Sequence, residues 1–306
     1  MRVLVVSNPR ATATSPRERD VLIHSLASVA DLEVAETANR GHAAALACRA
    51  MRNRTDVVVA LGGDGTVNEV VNGLLTDGGH GGVPALGVVP AGSTNVFARA
   101  LGLPNDPIES TGVLLDALRS GSRRPVSMGQ VDGRWFIFAA GMGFDAAIVG
   151  GVERQRDKGK KSTHMLYGRV GVREFFAADR RHPKLHVELP DGTIHDDVFF
   201  AIVANTDPWT FAGNRPLRPT PDASFETGVA LYARRRMGTV GMLFSMARLS
   251  GDKSRIGRRG AHLIHDLDGL VIRADEPMPV QVDGDYLGLR EKLVFSSTAR
   301  AIDVLI

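Results

Sequence analysis

"VVVALGGDGTVNEVVNGLL", residues 57–75, passes from a β-branched apolar run through Gly62, Gly63, Asp64 and Gly65 into a helical pattern. A buried strand that turns sharply into a helix is the repeating unit of a parallel α/β sheet. The three glycines let backbone N–H groups approach a bound group in conformations that residues with side chains avoid. The helix, read as starting at Thr66, aims its unsatisfied N–H groups and positive dipole end at the same place. An anion is the natural guest. Asp64 would repel a bare phosphate, but becomes useful if a divalent metal lies between carboxylate and phosphate. Thr66-x-x-Glu69 reads as a capping box for this helix.

Working outward, residues 1 to about 125 alternate β-branched runs with helical stretches, from "RVLVVSNP" to "IESTGVLLDALRSG". That alternation predicts a parallel sheet covered by helices, whose ligands gather at the carboxyl ends of the strands. "SNPRAT" (7–12), "GGDGT" (62–66) and "PAGSTN" (90–95) each follow an apolar strand and therefore share one rim. In "PAGSTNVFARALG" (90–102), Gly92, Ser93 and Thr94 are expected to open another helix. No Walker-type lysine follows these glycines and no G-x-G-x-x-G is present. The residues alone define a phosphate-binding α/β domain.

From about residue 126 the texture becomes strand-like, with turn signals at Asp132-Gly133, Asp191-Gly192 and Asp283-Gly284. Asp-Gly between apolar runs favours antiparallel hairpins. Two helical stretches interrupt the pattern, at roughly 146–180 and in "MGTVGMLFSMARLSG" (237–251). A chain of 306 residues is long for one core, and two domains are expected, 1–125 and 126–294.

The bulk numbers bound the function. Hydrophobic content of 43% and charged content of 23% describe an ordinary globular chain. No stretch approaches the roughly 18 apolar residues of a membrane span. "MRVLVVSNPR" lacks the apolar core of a signal peptide, and Cys48 is the only cysteine, so the cytoplasm is the expected compartment. The net charge of +3 lies in the second part, where residues 126–306 carry 25 basic and 22 acidic residues. Basic runs at 153–161, 234–236 and 252–259 could face an anionic surface. His262-x-x-His265 has ligand spacing, but "AHLIHDLDGLVI" reads better as strand and turn than as a zinc site.

Taken in order, Asn8-Pro9, "GGDGTVNEV" (62–70), "GSTNVFAR" (92–99), "GMGFDA" (141–146) and "PVQVDGDYLG" (279–288) resemble the diacylglycerol kinase catalytic-domain family, which includes bacterial soluble lipid kinases and sphingosine kinases. The resemblance implies an NAD-kinase/phosphofructokinase-like α/β domain, a β-sandwich C-terminal domain, and an active site in the cleft between them. It implies that residues 295–306 return to the first domain. ATP would lie on Asn8, Pro9, Arg10, Ala11 and Thr12, with Gly62, Gly63, Asp64, Gly65, Thr66, Val67 and Asn68, and near Thr37, Gly92 and Ser93. Asp64 would engage Mg²⁺, and the D-G-E triplet, here Asp283-Gly284-Asp285, would supply the general base for a lipid hydroxyl. The expected activity is transfer of the γ-phosphate to diacylglycerol or a related lipid by a peripheral protein at the inner membrane face. The partners implied are a lipid substrate and an anionic membrane, with no nucleic acid, and a homodimer is compatible with the sequence.

Three departures from the family pattern stand out. Val96 replaces an acidic residue common in the family, Asp285 shortens the triplet's glutamate, and Thr227 occupies an aspartate position tied to a structural Mg²⁺, which is therefore not expected here. Two other readings compete: a soluble-metabolite kinase of the NAD type, which shares "GGDGT", and a non-catalytic lipid or nucleotide sensor.

Overall fold

The structure, a computed structural model, describes residues 1–76, 78, 82–160, 163–249 and 260–306. The basic run 252–259 lies outside the described residues. Chain contacts divide the molecule into one unit of Met1–Met128 with Thr298–Ile306, and a second of Gly129–Ser297.

The first unit alternates β1 (Arg2–Ser7), α1 (Pro16–Ala27), β2 (Asp31–Glu36), α2 (His42–Arg52), β3 (Val57–Gly62), α3 (Asp64–Leu74), β4 (Ala85–Pro90), α4 (Val96–Ala100) and α5 (Pro107–Ser120). Strand β5 (Arg123–Val131) leads out of it. The parallel order is β4-β3-β1-β2, extended beyond β4 by Val304 opposite Leu86 near the C-terminus. Both β3 and β4 are buried along their whole length, which is why they read as continuous apolar runs. Their side chains join Leu22 and Leu26 of α1 and Leu114 and Leu118 of α5 in one core.

Local chemistry sets the helix ends. Ser15 and Glu18 form a reciprocal capping box with Pro16 in the first turn of α1, and Asp106 caps α5, which ends on Gly121 at φ +72°. Helix α3 departs from its expected start: it begins at Asp64 with Gly63 as its cap residue, so Thr66 lies inside its first turn. Glu69 makes no capping box with Thr66. It accepts from the amides of Gly41 (2.8 Å) and Ala43 (3.1 Å) and so caps the neighbouring α2. Those two helices pack so closely that a Cβ on Gly73 would meet the Ala44 carbonyl at 2.2 Å.

The second unit contains β6 (Arg134–Phe136), β7 (Ala139–Met142), α6 (Phe144–Arg156), α7 (His164–Ala177), β8 (Leu185–Glu188), β9 (Ile194–Val198), β10 (Phe200–Ala204), β11 (Thr210–Ala212), β12 (Arg215–Leu217), β13 (Val229–Arg234), α8 (Thr239–Leu249), β14 (Ala261–Leu267), β15 (Gly269–Val282) and β16 (Asp285–Leu305, whose last residues belong to the first unit). Its sheet is antiparallel in the order β14-β13-β10-β7-β15-β16, with β8 and β9 branching from β15. Asp132-Gly133 and Asp283-Gly284 are two-residue turns with positive φ at both positions, the geometry of type I′ hairpins. The core gathers Phe136, Leu185, Val187, Leu231, Ile272 and Phe295. Among the described residues this unit is β-rich with three helices, which fall at the two stretches of helical texture.

Candidate active site

The rim of the first unit is built from backbone contacts. Asn8 N–H donates to the Leu61 carbonyl (3.0 Å), Ala13 N–H to Ala91 (3.0 Å), Ala91 N–H to Gly62 (2.8 Å) and Thr37 N–H to Ser7 (2.9 Å). These bonds draw the ends of β1, β3 and β4 together, so the three loops and Thr37 form one cluster. Asn8 shapes its own turn by accepting from Arg10 N–H (2.9 Å), and its Nδ2 donates to Thr66 Oγ1 (3.3 Å). Pro9, Arg10 and Thr12 are exposed, and Ala11 is half-buried.

Glycine is required where two turns meet. A Cβ on Gly63 would lie 3.1 Å from the Gly92 Cα, and one on Gly92 would lie 2.6 Å from the Gly63 Cα and 2.8 Å from Asn95 Oδ1. Asn95, at φ +51°, accepts from Gly92 N–H (2.9 Å) and donates to its carbonyl (3.0 Å), closing the second turn. Helix α4 accordingly starts at Val96, not at the expected Gly92-Ser93-Thr94, while Ser93 stays exposed in the turn.

Asp64 locks the two turns together. Its Oδ2 accepts from Val96 N–H (2.9 Å) and its Oδ1 from Phe97 N–H (3.1 Å), which places a carboxylate at the start of α4. Burial raises its pKa, while the amides of Val96, Phe97 and Asn95 and the charge of Arg99 act in the opposite direction. Inside α3, the Thr66 and Val67 amides both donate to the Gly63 carbonyl, at 2.9 and 3.2 Å. Val67 and Asn68, expected near the phosphates, are buried on the packed face of α3. The amides of Asp64 and Gly65 are the first-turn donors without an intrahelical acceptor.

A metal fits this arrangement poorly. Both Asp64 oxygens are engaged by α4 amides, Val96 adds no carboxylate, and among the described residues no group of three or more His, Cys, Asp or Glu could hold a metal ion. His262, on β14, pairs with Asp197 (3.0 Å) and stacks on His195 at 3.8 Å between ring centroids.

In the second unit the Asp283-Gly284 turn links β15 to β16, with Val282 opposite Asp285. The Asp283 carboxylate accepts from three consecutive amides, Ile137 (2.7 Å), Phe138 (3.0 Å) and Ala139 (3.0 Å). These three hydrogen bonds make Asp283 a clamp on the start of β7. Asp285 is partly exposed and accepts from Arg134 Nη2 at 3.1 Å.

One group escaped the reading of the sequence. Asp145, near the start of α6, is buried, and burial pushes its carboxyl up to about 6 against the lowering effect of a 2.8 Å hydrogen bond from Gln281 Nε2. The other end of Gln281 accepts from Gly284 N–H at 3.0 Å, so Asp145 is wired to the Asp-Gly-Asp turn. The signal lay in "GMGFDA": a Cβ on Gly141 would meet Asp145 Oδ2 at 2.6 Å, so the small residue makes room for the carboxylate.

Fold and site define a class: an α/β domain that presents backbone amides on a three-loop rim, joined in sequence to a β-rich unit. Residues 2–131 match the family described as the diacylglycerol kinase catalytic domain. A diacylglycerol kinase of Bacillus subtilis (strain 168) is 46% identical over 103 residues, which cover 34% of this chain and only 32% of that relative. One from Staphylococcus haemolyticus (strain JCSC1435) is 26% identical over 279 residues, 88% of this chain and 77% of that one. Residues 2–131 are therefore similar to the catalytic domain of the bacterial diacylglycerol kinases. The crystal structure of a diacylglycerol kinase from Bacillus anthracis str. Sterne shares the fold at TM-score 0.75 and 18% identity, covering 99% of this chain and 96% of that one. An NAD kinase from Archaeoglobus fulgidus, solved in complex with ATP, shares it more distantly, at TM-score 0.53 and 12% identity over 100% of this chain and 94% of that one.

Proposed function

We propose that this protein is an ATP-dependent lipid kinase that transfers the γ-phosphate to a hydroxyl of diacylglycerol or a related lipid. The observation that carries the reading is the Gly63–Gly92 contact: two strand-to-helix turns meet backbone to backbone, beside the open first-turn amides of α3, within a diacylglycerol kinase catalytic domain. Amides in that arrangement suit the phosphates of a nucleotide, and the Asn8 turn and Ser93 border the same rim. ATP supplies the phosphoryl group. The protein's own part is to hold the donor phosphates in line and to provide a carboxylate for the acceptor's proton.

Asp285 is assigned that proton, because Asp283 is committed to the β7 amides. Asp145 and Gln281 position the turn that carries it. The described residues of the rim do not assemble a site for Mg²⁺. No helix among the described residues is long and apolar enough to cross a membrane, and peripheral contact with an anionic bilayer fits a lipid acceptor. Incubation with γ-labelled ATP and a panel of lipids and soluble acceptors tests the proposal. Labelled lipid phosphate supports it, and labelled NADP would move the chain to the NAD-kinase reading.

A further inference from the structure

The stretch "NTDPWTFAGNRPLRPT", residues 205–220, leaves the end of β10 and folds back on itself. Strands β11 and β12 pair with each other, Thr210 opposite Leu217, and Trp209 N–H donates to the Leu217 carbonyl at 3.0 Å. The residues flanking that bond are thereby brought side by side, and Arg218 Nη1 donates to Asp207 Oδ2. The Asp207 side chain is only 10% exposed and Thr220 only 3%. Among the described residues, Asp207 Oδ1, Arg218 Nε and Thr220 Oγ1 are buried without a hydrogen-bond partner. Native interiors rarely leave such atoms unpaired, and three within one hairpin mark a place where a ligand supplies the bonds. Burial holds the Asp207 carboxyl up at about 6 against the charge and hydrogen bond of Arg218, so the ion pair alone does not satisfy it.

The chemistry of the three atoms selects the ligand. Asp207 Oδ1 needs a donor, Arg218 Nε needs an acceptor, and the Thr220 hydroxyl serves as either. An anion would suit Arg218 but meet the Asp207 carboxylate, with Asp222 close enough to act on it as well. A cation would meet the guanidinium. A hydroxyl group both donates and accepts, so neighbouring hydroxyls of a sugar or polyol answer Asp207 and Arg218 together. The sheet fixes where such a ligand lies. Asn205 N–H donates to the Phe138 carbonyl (2.8 Å), and Phe138 N–H donates to Asp283 Oδ1 (3.0 Å). Ala204 of β10 is opposite Ala139 of β7, and Ala140 is opposite Val282 of β15. The hairpin and the Asp-Gly-Asp turn therefore leave the same end of the sheet with β7 between them, two strand spacings or roughly 10 Å apart.

We propose that Asp207, Arg218 and Thr220 hold the unreacted hydroxyls of a sugar or polyol head on the lipid acceptor, so that a sugar-headed lipid is preferred to one with a single hydroxyl. The proposal rests on the lipid-kinase reading and on Asp285 as the carboxylate that meets the reacting hydroxyl. A site built to bond hydroxyls discriminates against an acceptor that lacks them, because its own buried groups then go unpaired. 1,2-Diacylglycerol, which offers one hydroxyl, is accordingly the poorer acceptor.

The full chain is assayed with γ-labelled ATP on 1,2-diacylglycerol and on monoglucosyl-diacylglycerol in mixed micelles. Wild type should favour the glucosyl lipid in kcat/KM by about tenfold or more, and Asp207→Asn and Thr220→Val should each reduce that ratio by about tenfold, through KM. Thr220→Val replaces a hydroxyl that has no partner in the protein, so its melting temperature should not fall. Equal kcat/KM for the two lipids in wild type would overturn the proposal. So would a Thr220→Val protein that melts earlier with its lipid preference intact, which would make the cluster purely structural. Calorimetric titration with octyl glucoside below its micellar concentration, without nucleotide, reads the site apart from catalysis, and both variants should weaken that binding. Glucose binding as tightly as octyl glucoside would assign the cluster to a soluble polyol and overturn its place on the lipid acceptor. Octyl glucoside bound by wild type and lost in both variants, with no label on either lipid, would instead overturn the kinase reading and leave the hydroxyl site standing.

Discussion

The Asp64 carboxylate accepts a 2.9 Å hydrogen bond from the Val96 amide, across 32 residues of sequence. With the second bond to Phe97, it makes the glycine turn after β3 and the turn before α4 one rigid piece. Asp64→Ala would leave those amides without their partner, at a cost of about 1–2 kcal/mol in unfolding free energy, and would also weaken ATP binding. Asp64→Asn keeps one acceptor oxygen and should fall between. Urea unfolding paired with calorimetric titration of ATP checks this. A stable Asp64→Ala protein that binds ATP normally would refute the coupling of the two turns.

The Gly63–Gly92 approach makes a graded prediction. Gly92→Ala should be the more damaging substitution, because its Cβ meets backbone at 2.6 Å, whereas the Gly63 Cβ would meet it at 3.1 Å. ATP affinity should fall in both, further in Gly92→Ala. Equal affinity for wild type and both variants would show that the nucleotide does not use this junction.

The two carboxylates of the Asp-Gly-Asp turn should separate stability from catalysis. Asp283→Ala deprives three amides of their acceptor and is expected to cost about 2–4 kcal/mol in stability. Asp285→Asn removes one partly exposed ion pair with Arg134, so its melting temperature should change little while kcat for lipid falls by about 100-fold. The reverse pattern would return the base role to Asp283.

Asp145 ties stability to pH. A carboxyl raised from 3.8 to about 6 in the folded state holds its proton better there than in the unfolded chain. Its contribution therefore favours folding below the unfolded value and is lost as pH rises through about 6, a change of at most about 3 kcal/mol. Asp145→Asn should flatten that slope and raise the melting temperature at neutral pH. Melting curves between acidic and neutral pH decide it, and parallel wild-type and mutant profiles would contradict it.

The α/β fold class was legible because β3 and β4 are buried along their whole length and each runs directly into a glycine turn, a pattern that periodicity and turn chemistry both register. The Asp-Gly hairpins were legible for the same local reason. Less was visible where a side chain serves a distant element. Thr66 and Glu69 have capping-box spacing, yet Glu69 caps α2, because α2 and α3 pack closely enough at Gly73 to bring its amides within reach. Asp64 and Asp283 have the residue type expected of a metal ligand and a base, and only tertiary structure shows that backbone amides 32 and about 145 residues away use their oxygens. Asp145 stayed hidden because burial is not a local property of its helix.

The most direct test of the central claim is transfer of label from γ-labelled ATP to 1,2-diacylglycerol in mixed micelles by the purified full chain. Labelled phosphatidic acid is expected, abolished in Gly92→Ala and strongly reduced in Asp285→Asn. Nucleotide binding without any labelled lipid, or label appearing on NAD instead, would contradict it.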